Sequence, residues 1–276
     1  MVVLVTGANG QLGQSLQFIA SDYPEIDFVF CGSSDLDITD KSNIQSVFLK
    51  FKPDYCINAA AYTAVDKAES EPEKADAINH IGAKNLAEAC KENDIVLIHI
   101  STDFVFDGTK ESPYLESDPP NPTSVYGQTK LDGERAIQEI LEKHFIVRTS
   151  WVYSQFGNNF MKTMIRLGNE RESLSVVNDQ IGTPTNAVDL AKALVHIANS
   201  NTQNYGIYNF SNEGQCSWYD FAKKIFEINK IKIALHPITT AAYPTPAKRP
   251  AYSVLDKNKI RRIGIQIQDW KESLKR

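Results

Sequence analysis

Tyr126 and Lys130 stand four residues apart in SVYGQTK, and a pair of hydroxyls, Ser101 and Thr102, precedes them in STD. A free phenol loses its proton near pH 10, so it is a poor acid at neutral pH. An ammonium held close by stabilises the phenolate and draws that pKa toward the working range. Residues four apart on a helix share a face, so both side chains can enter one cleft. The chemistry on offer is a proton donor and the cation that tunes it. A surface helix with a polar face would show the same pair, and Tyr-x-x-x-Lys arises by chance in many chains. Other features must tie the pair to a reaction.

The N-terminus supplies one. VVLVTGANGQLG runs an apolar strand straight into Gly7, Gly10 and Gly13. One glycine makes the tight turn, one lets a diphosphate approach the backbone, and one allows close packing of helix on strand. A helix starting near Gln11 then turns its unpaired N–H groups and positive dipole end toward the phosphates. Such turns are common, but this one has the strand before it and the amphipathic helix after it that a dinucleotide requires. Asn9, Gln11 and Leu12 share the turn and are candidate cofactor contacts with the three glycines.

At the end of the second strand an acidic residue would bind the 2′-hydroxyl of NAD. FVFCGSSDLDITD instead puts Cys31, Gly32, Ser33 and Ser34 there, with no acid before Asp35. Small hydroxyls such as Ser33 can accept a 2′-phosphate, although no arginine stands by to clamp it. NADPH is favoured and NADH stays open. Asp37 and Ile38 are placed to border the adenine ring; a helix cap before KSNIQSVF is the other reading of that stretch.

These groups need a scaffold to position them. Val2–Thr6, Phe28–Cys31, Tyr55–Asn58, Val96–Ser101 and Phe145–Arg148 read as near-continuous apolar strands of the buried, parallel kind. Amphipathic segments near 11–20, 42–51, 76–92 and 125–142 lie between them. Strands alternating with helices imply an α/β fold, a Rossmann-type doubly wound parallel sheet. In such sheets ligands bind beyond the carboxyl ends of the strands, which puts Ser101 and Thr102 beside a nicotinamide. Residues 1–150 are expected to form the dinucleotide-binding domain, and 151–276 mainly a smaller C-terminal substrate-binding lobe. Segments near 186–212 are expected to return to the large domain. HPITTAAYPTPAKRPAYS, 236–253, looks too long and too broken by proline for core structure, and reads as a substrate loop.

Composition removes several classes of function. The 276 residues are 42% hydrophobic and 23% charged, with a net charge of −5, which argues against a nucleic-acid partner. No apolar run approaches the roughly 20 residues that cross a bilayer. The N-terminus lacks the basic flank of a signal peptide. The four cysteines are scattered in apolar contexts and read as reduced core residues of a cytoplasmic protein. The five histidines form no ligand pattern and read as structural or surface, so no protein-held metal is expected.

TGANGQLG, INAAAYTAVDKAE, STDFVFDG, YGQTK, RTSWVY and VNDQIGTPT together resemble the extended short-chain dehydrogenase/reductases, over nearly the whole chain. The resemblance implies a reductase acting on a keto sugar carried by a nucleotide, with Thr102, Tyr126 and Lys130 as its catalytic set. It implies that Tyr126 protonates the sugar oxygen, that Thr102 holds that oxygen, and that Lys130 also binds the nicotinamide ribose. It places Ala59, Ala60 and Ala61 along the cofactor groove, and Asp103, Phe104 and Trp151 on the substrate side, the indole as a flat face for a deoxysugar. Lys248 and Arg249, in the Pro-rich loop, make a candidate clamp for the nucleotide diphosphate.

Some relatives bridge a dimer through Mg²⁺ held by a carboxylate early in the first helix. GQLGQSLQF has Gln14 and Ser15 there, so Mg²⁺ is not expected at that site, and a homodimer stays open. Two rival readings share the fold: an epimerase or dehydratase that retains its NAD, and a non-catalytic NADP-binding regulatory subunit.

Overall fold

The computed structural model describes residues 1–200 and 202–276; Asn201, within the segment expected to return to the large domain, lies outside the described residues. The first half alternates strand and helix. β1 (Val2–Thr6), β2 (Asp27–Cys31), β3 (Tyr55–Asn58), β4 (Val96–Thr102) and β5 (His144–Thr149) are joined by β6 (Gly206–Asn209). They form one parallel sheet in the order β6-β5-β4-β3-β1-β2. The strands read as near-continuous apolar runs because the middle of the sheet is covered on both faces: Val3, Leu4 and Val5 are fully buried.

Helices α1 (Gln11–Ile19) and α6 (Ala187–Asn199) pack together over one face. On the other face lie α2 (Lys41–Phe51), α3 (Ala83–Glu92) and α4 (Val125–Ile140). Each starts where local chemistry allows. The Asp40 carboxylate accepts from Ser42 and Asn43 N–H to cap α2, and the Ser124 hydroxyl accepts from Gly127 N–H to cap α4. A π-helical turn, Ala77–Gly82, runs into α3. There the Asn79 amide accepts from Tyr62 N–H and donates to the Tyr62 carbonyl, tying this helix to the segment after β3.

The chain reverses direction across the sheet between β1 and β3, so a crevice opens at their carboxyl ends. The C-terminal half builds its own core, with Tyr153, Met164, Phe221 and Ile225 among its buried residues, between α5 (Phe160–Glu170) and α7 (Trp218–Ile228).

The Pro-rich segment departs from expectation. Its first residues belong to a strand, Ala234–Ile238, which pairs in parallel with Ser173–Val177. Ala247, Pro250 and Ser253 are buried. Proline is tolerated because both strands of a two-stranded sheet have a free edge, where the missing N–H of Pro237 breaks no ladder. All four cysteines are buried and unpaired. No described helix is long and apolar enough to cross a membrane.

Candidate active site

Gly7 turns the chain with φ +65°, and a Cβ there would fall 2.6 Å from the backbone of Ala60. At Gly13 a Cβ would sit 2.4 Å from the Gly7 carbonyl. Both glycines are forced by the fold. Gly10 is different: an added Cβ would meet only the Gly7 carbonyl, at 3.3 Å, so that residue borders open space. It precedes α1 as a cap with no side chain over the first N–H groups. This open, uncapped helix start has the shape of a phosphate cradle, and the residues present fit a dinucleotide. Ala59, Ala60 and Ala61, all half-buried, form the opposite lip at the end of β3.

The other candidates along this groove divide. Asn9 and Ser33 are exposed at the rim. Leu12 is buried in the core. The Gln11 side chain turns away from the glycines, and its Oε1 accepts from Ser154 and Asn159 of the C-terminal half. Asp37 closes a turn by accepting from both the backbone N–H and the hydroxyl of Thr39. Ile38 is buried against Gly82, so it supports the groove from beneath where an edge to the adenine was expected.

β4 ends at Ser101 and Thr102, both buried, and α4 passes across that end. Gly127 permits the approach, since a Cβ there would fall 2.2 Å from the Phe104 carbonyl. The Tyr126 ring meets Phe104 edge-on, with centroids 5.5 Å apart. Tyr126 and Lys130 share the face of α4 that looks toward this end of the sheet, so the structure brings the predicted set together. The predicted tuning is not what the geometry shows. Burial pushes the Tyr126 phenol up to about 12, with Asp103 adding to the rise and the Thr102 hydroxyl opposing it. The Lys130 ammonium is buried, brought down to about 8 by burial, and donates to the Ile100 carbonyl at 2.6 Å.

Asp103 accepts from the Thr102 hydroxyl through Oδ1 at 3.1 Å, while its buried Oδ2 has no hydrogen-bond partner. Burial raises this carboxyl to about 6. Behind Lys130 lies a pair that sequence reasoning missed. Arg148 on β5 forks onto Glu134 on α4, donating at 2.9 and 2.6 Å, both side chains being almost wholly buried. Ser101 donates to the same carboxylate. The signal was present: Glu134 follows Lys130 by one more helical turn on the same face.

On the substrate side, Trp151 adopts φ +47° and its ring stacks on Trp218 at 3.6 Å between centroids. One face of the indole is therefore spent on protein. A Cβ at Gly182 would fall 2.6 Å from the same ring. Gly182→Ala should displace the stack; a rise in KM for the substrate of about 10-fold, with NADPH affinity unchanged, is the expected result. Unaltered KM would remove Trp151 from the substrate side.

Next to Trp218 lies a cavity of about 520 Å³, lined among others by Asp66, Arg171, Gln180 and Tyr243. Arg249 reaches its wall but its fork is closed on Asp66, at 3.0 and 2.8 Å, and also donates to Thr245 and the Ala247 carbonyl. The expected diphosphate clamp is thus an internal tie in this structure, because a half-buried carboxylate lies nearer than any bulk anion. Lys248 is exposed and has no ion pair among the described residues.

Arg249→Ala should lower Tm by a few degrees, about 1 kcal/mol, and Asp66→Asn in the same chain should add little. The Arg249 hydrogen bond holds the Asp66 carboxyl below its ordinary range, so this contribution is present at neutral pH and fades as pH drops through that lowered value. Additive losses from the two substitutions would refute the tie. Among the described residues no three His, Cys, Asp or Glu side chains are grouped to hold a metal.

A parallel doubly wound sheet with a glycine turn at its switch point, and a hydroxyl, tyrosine and lysine gathered at the end of β4, defines a dinucleotide-dependent oxidoreductase of the extended short-chain kind. The family model described as RmlD substrate binding domain matches residues 1–276. A protein of Aggregatibacter actinomycetemcomitans named dTDP-4-dehydrorhamnose reductase is 46% identical, the match covering 99% of this chain and 97% of that protein. The crystal structure of a dTDP-4-dehydrorhamnose reductase from Clostridium acetobutylicum superposes with TM-score 0.95 at 45% identity, covering 100% of this chain and 97% of that one. Another from Bacillus anthracis, in complex with NADP, matches with TM-score 0.95 at 45% identity over 99% and 96% of the two chains. The chain belongs to this family of reductases.

Proposed function

We propose that this enzyme uses NADPH to reduce the C4 keto group of dTDP-4-dehydro-β-L-rhamnose, giving dTDP-β-L-rhamnose, the last step of dTDP-L-rhamnose biosynthesis. The observation that carries the reading is the meeting of Thr102, Tyr126 and Lys130 at the carboxyl end of β4, across the crevice from the glycine turn, in a chain 46% identical to a relative of that name.

Gly7, Gly10 and Gly13 hold the diphosphate, Ala59 to Ala61 line the passage, and the cofactor supplies a hydride. Thr102 holds the keto oxygen. Tyr126 gives that oxygen a proton as negative charge grows on it; a phenol near 12 keeps its proton until a stronger base, a developing alkoxide, is in place. Lys130 stabilises the phenolate that remains. Asp103, with one oxygen unpaired, accepts from a sugar hydroxyl, and Phe104 and Trp151 border the ring. Residues 1–150 carry the cofactor and 151–276 mainly the nucleotide sugar, whose nucleotide end fits the cavity beside Trp218.

The test is oxidation of NADPH, followed by its near-ultraviolet absorbance, with dTDP-4-dehydro-β-L-rhamnose generated in situ. Stoichiometric oxidation with formation of dTDP-rhamnose is expected. Protein purified with a retained cofactor and no net oxidation would point to an epimerase.

A further inference from the structure

We propose that His99 is a positioning residue for Lys130, one that determines how readily this lysine holds its proton. The proposal rests on the reading that Lys130 serves Tyr126. His99 lies on β4 and is 1% exposed. Its Nε2 stands 3.3 Å from Lys130 Nζ, and its Nδ1 stands 3.0 Å from Asn58 Nδ2.

The Asn58 amide is fixed from its other side. Its Oδ1 accepts from the Thr6 hydroxyl at 2.7 Å and from Ala60 N–H at 3.2 Å. Ala60 N–H also reaches the Thr6 hydroxyl at 3.3 Å, but an amide nitrogen 3.2 Å away would set two donors against each other, so the oxygen faces Ala60 and the amide nitrogen is left to face His99. Nδ1 of the imidazole therefore accepts. Burial keeps the ring neutral, its pKa far below the ordinary value, with the nearby Lys130 and His144 charges acting the same way. A neutral ring that accepts at Nδ1 carries its hydrogen on Nε2.

That N–H points at Lys130. An ammonium has no lone pair to receive it; a neutral amine has one, and can still donate to the Ile100 carbonyl. His99 thus works against the charged lysine. Glu134, one turn further along α4, works for it, while Arg148 of β5 holds Glu134 in place. Tyr126 on α4 and Asp103 at the end of β4 complete the titratable groups around this point. Opposed influences on one buried cation leave its charge, and with it the stabilisation of the Tyr126 phenolate, sensitive to pH just above neutral. The chain Lys130–His99–Asn58–Thr6 also runs beneath the cofactor groove, to Ala60 on its lip.

Nitrogen NMR of histidine-labelled enzyme with NADP⁺ bound reads the tautomer directly. The His99 signal, identified by its loss in His99→Gln or His99→Asn, should show the hydrogen on Nε2 and a bare Nδ1 throughout the neutral range. A hydrogen on Nδ1 would overturn the proposal. In parallel, His99→Gln, whose amide can turn an oxygen to Lys130, should move the alkaline limb of the kcat profile upward by about one pH unit. An unmoved limb also overturns it. Lys130→Met separates the two readings: full turnover there sinks the role of Lys130, whereas lost turnover with an unmoved limb in His99→Gln sinks only the role of His99.

Discussion

Tyr126→Phe should leave a folded, cofactor-binding protein whose turnover falls by about 10²- to 10⁴-fold, the usual worth of a positioned acid. The fold should survive because the ring, not the hydroxyl, does the packing: it meets Phe104 edge-on and lies against the small apolar cluster of Tyr62, Ala68 and Ala75. Phenylalanine keeps those contacts. Only the proton is lost. Since burial pushes the phenol to about 12, the wild-type group is protonated at every working pH, and removing it should lower kcat far more than it changes KM. Turnover within about threefold of wild type would remove Tyr126 from the proton-transfer step.

Gly10→Val should weaken NADPH binding by about 100-fold or more, roughly 2.8 kcal/mol, with little change in Tm. The three glycines are not equivalent. Side chains at Gly7 or Gly13 would collide with backbone at 2.6 and 2.4 Å, so those substitutions damage the turn itself. At Gly10 the first carbon would meet one carbonyl at 3.3 Å, a tight contact that a shift of a few tenths of an ångström relieves, and the valine branches would instead fill the space open to the phosphates. Titration of the cofactor alongside a thermal melt checks both halves of the expectation. Unchanged affinity in a folded variant would place the diphosphate elsewhere.

Much of the scaffold is legible in the chain because its causes are local. Five strands are near-continuous apolar runs since the middle of a parallel sheet is covered on both faces, and that pattern is readable in the sequence itself. The glycine turn follows from conformations that other residues reach only with strain. The spacing of Tyr126, Lys130 and Glu134 follows from 3.6 residues per turn, although Glu134 gains meaning only when Arg148 is seen opposite it.

What the sequence by itself determined is therefore the parallel sheet, the position of the glycine turn at its switch point, and the spacing that puts Tyr126 and Lys130 on one face of α4. Tertiary structure decided the partners and the proton affinities. Arg249 reads as a free cation until the fold brings Asp66, 183 positions away in sequence, against its fork. Trp151 reads as a flat aromatic face in the sequence, and only the fold shows Trp218 stacked on one side of it. The tyrosine beside a lysine reads as a phenol drawn down in pKa, yet the packing of α4 over β4 desolvates it and ties the lysine nitrogen to the Ile100 carbonyl, with His99 beside it. Periodicity and turn geometry are properties of a few consecutive residues. Desolvation and charge pairing depend on distances between segments, which fall off too steeply with separation in space to be read from separation in sequence.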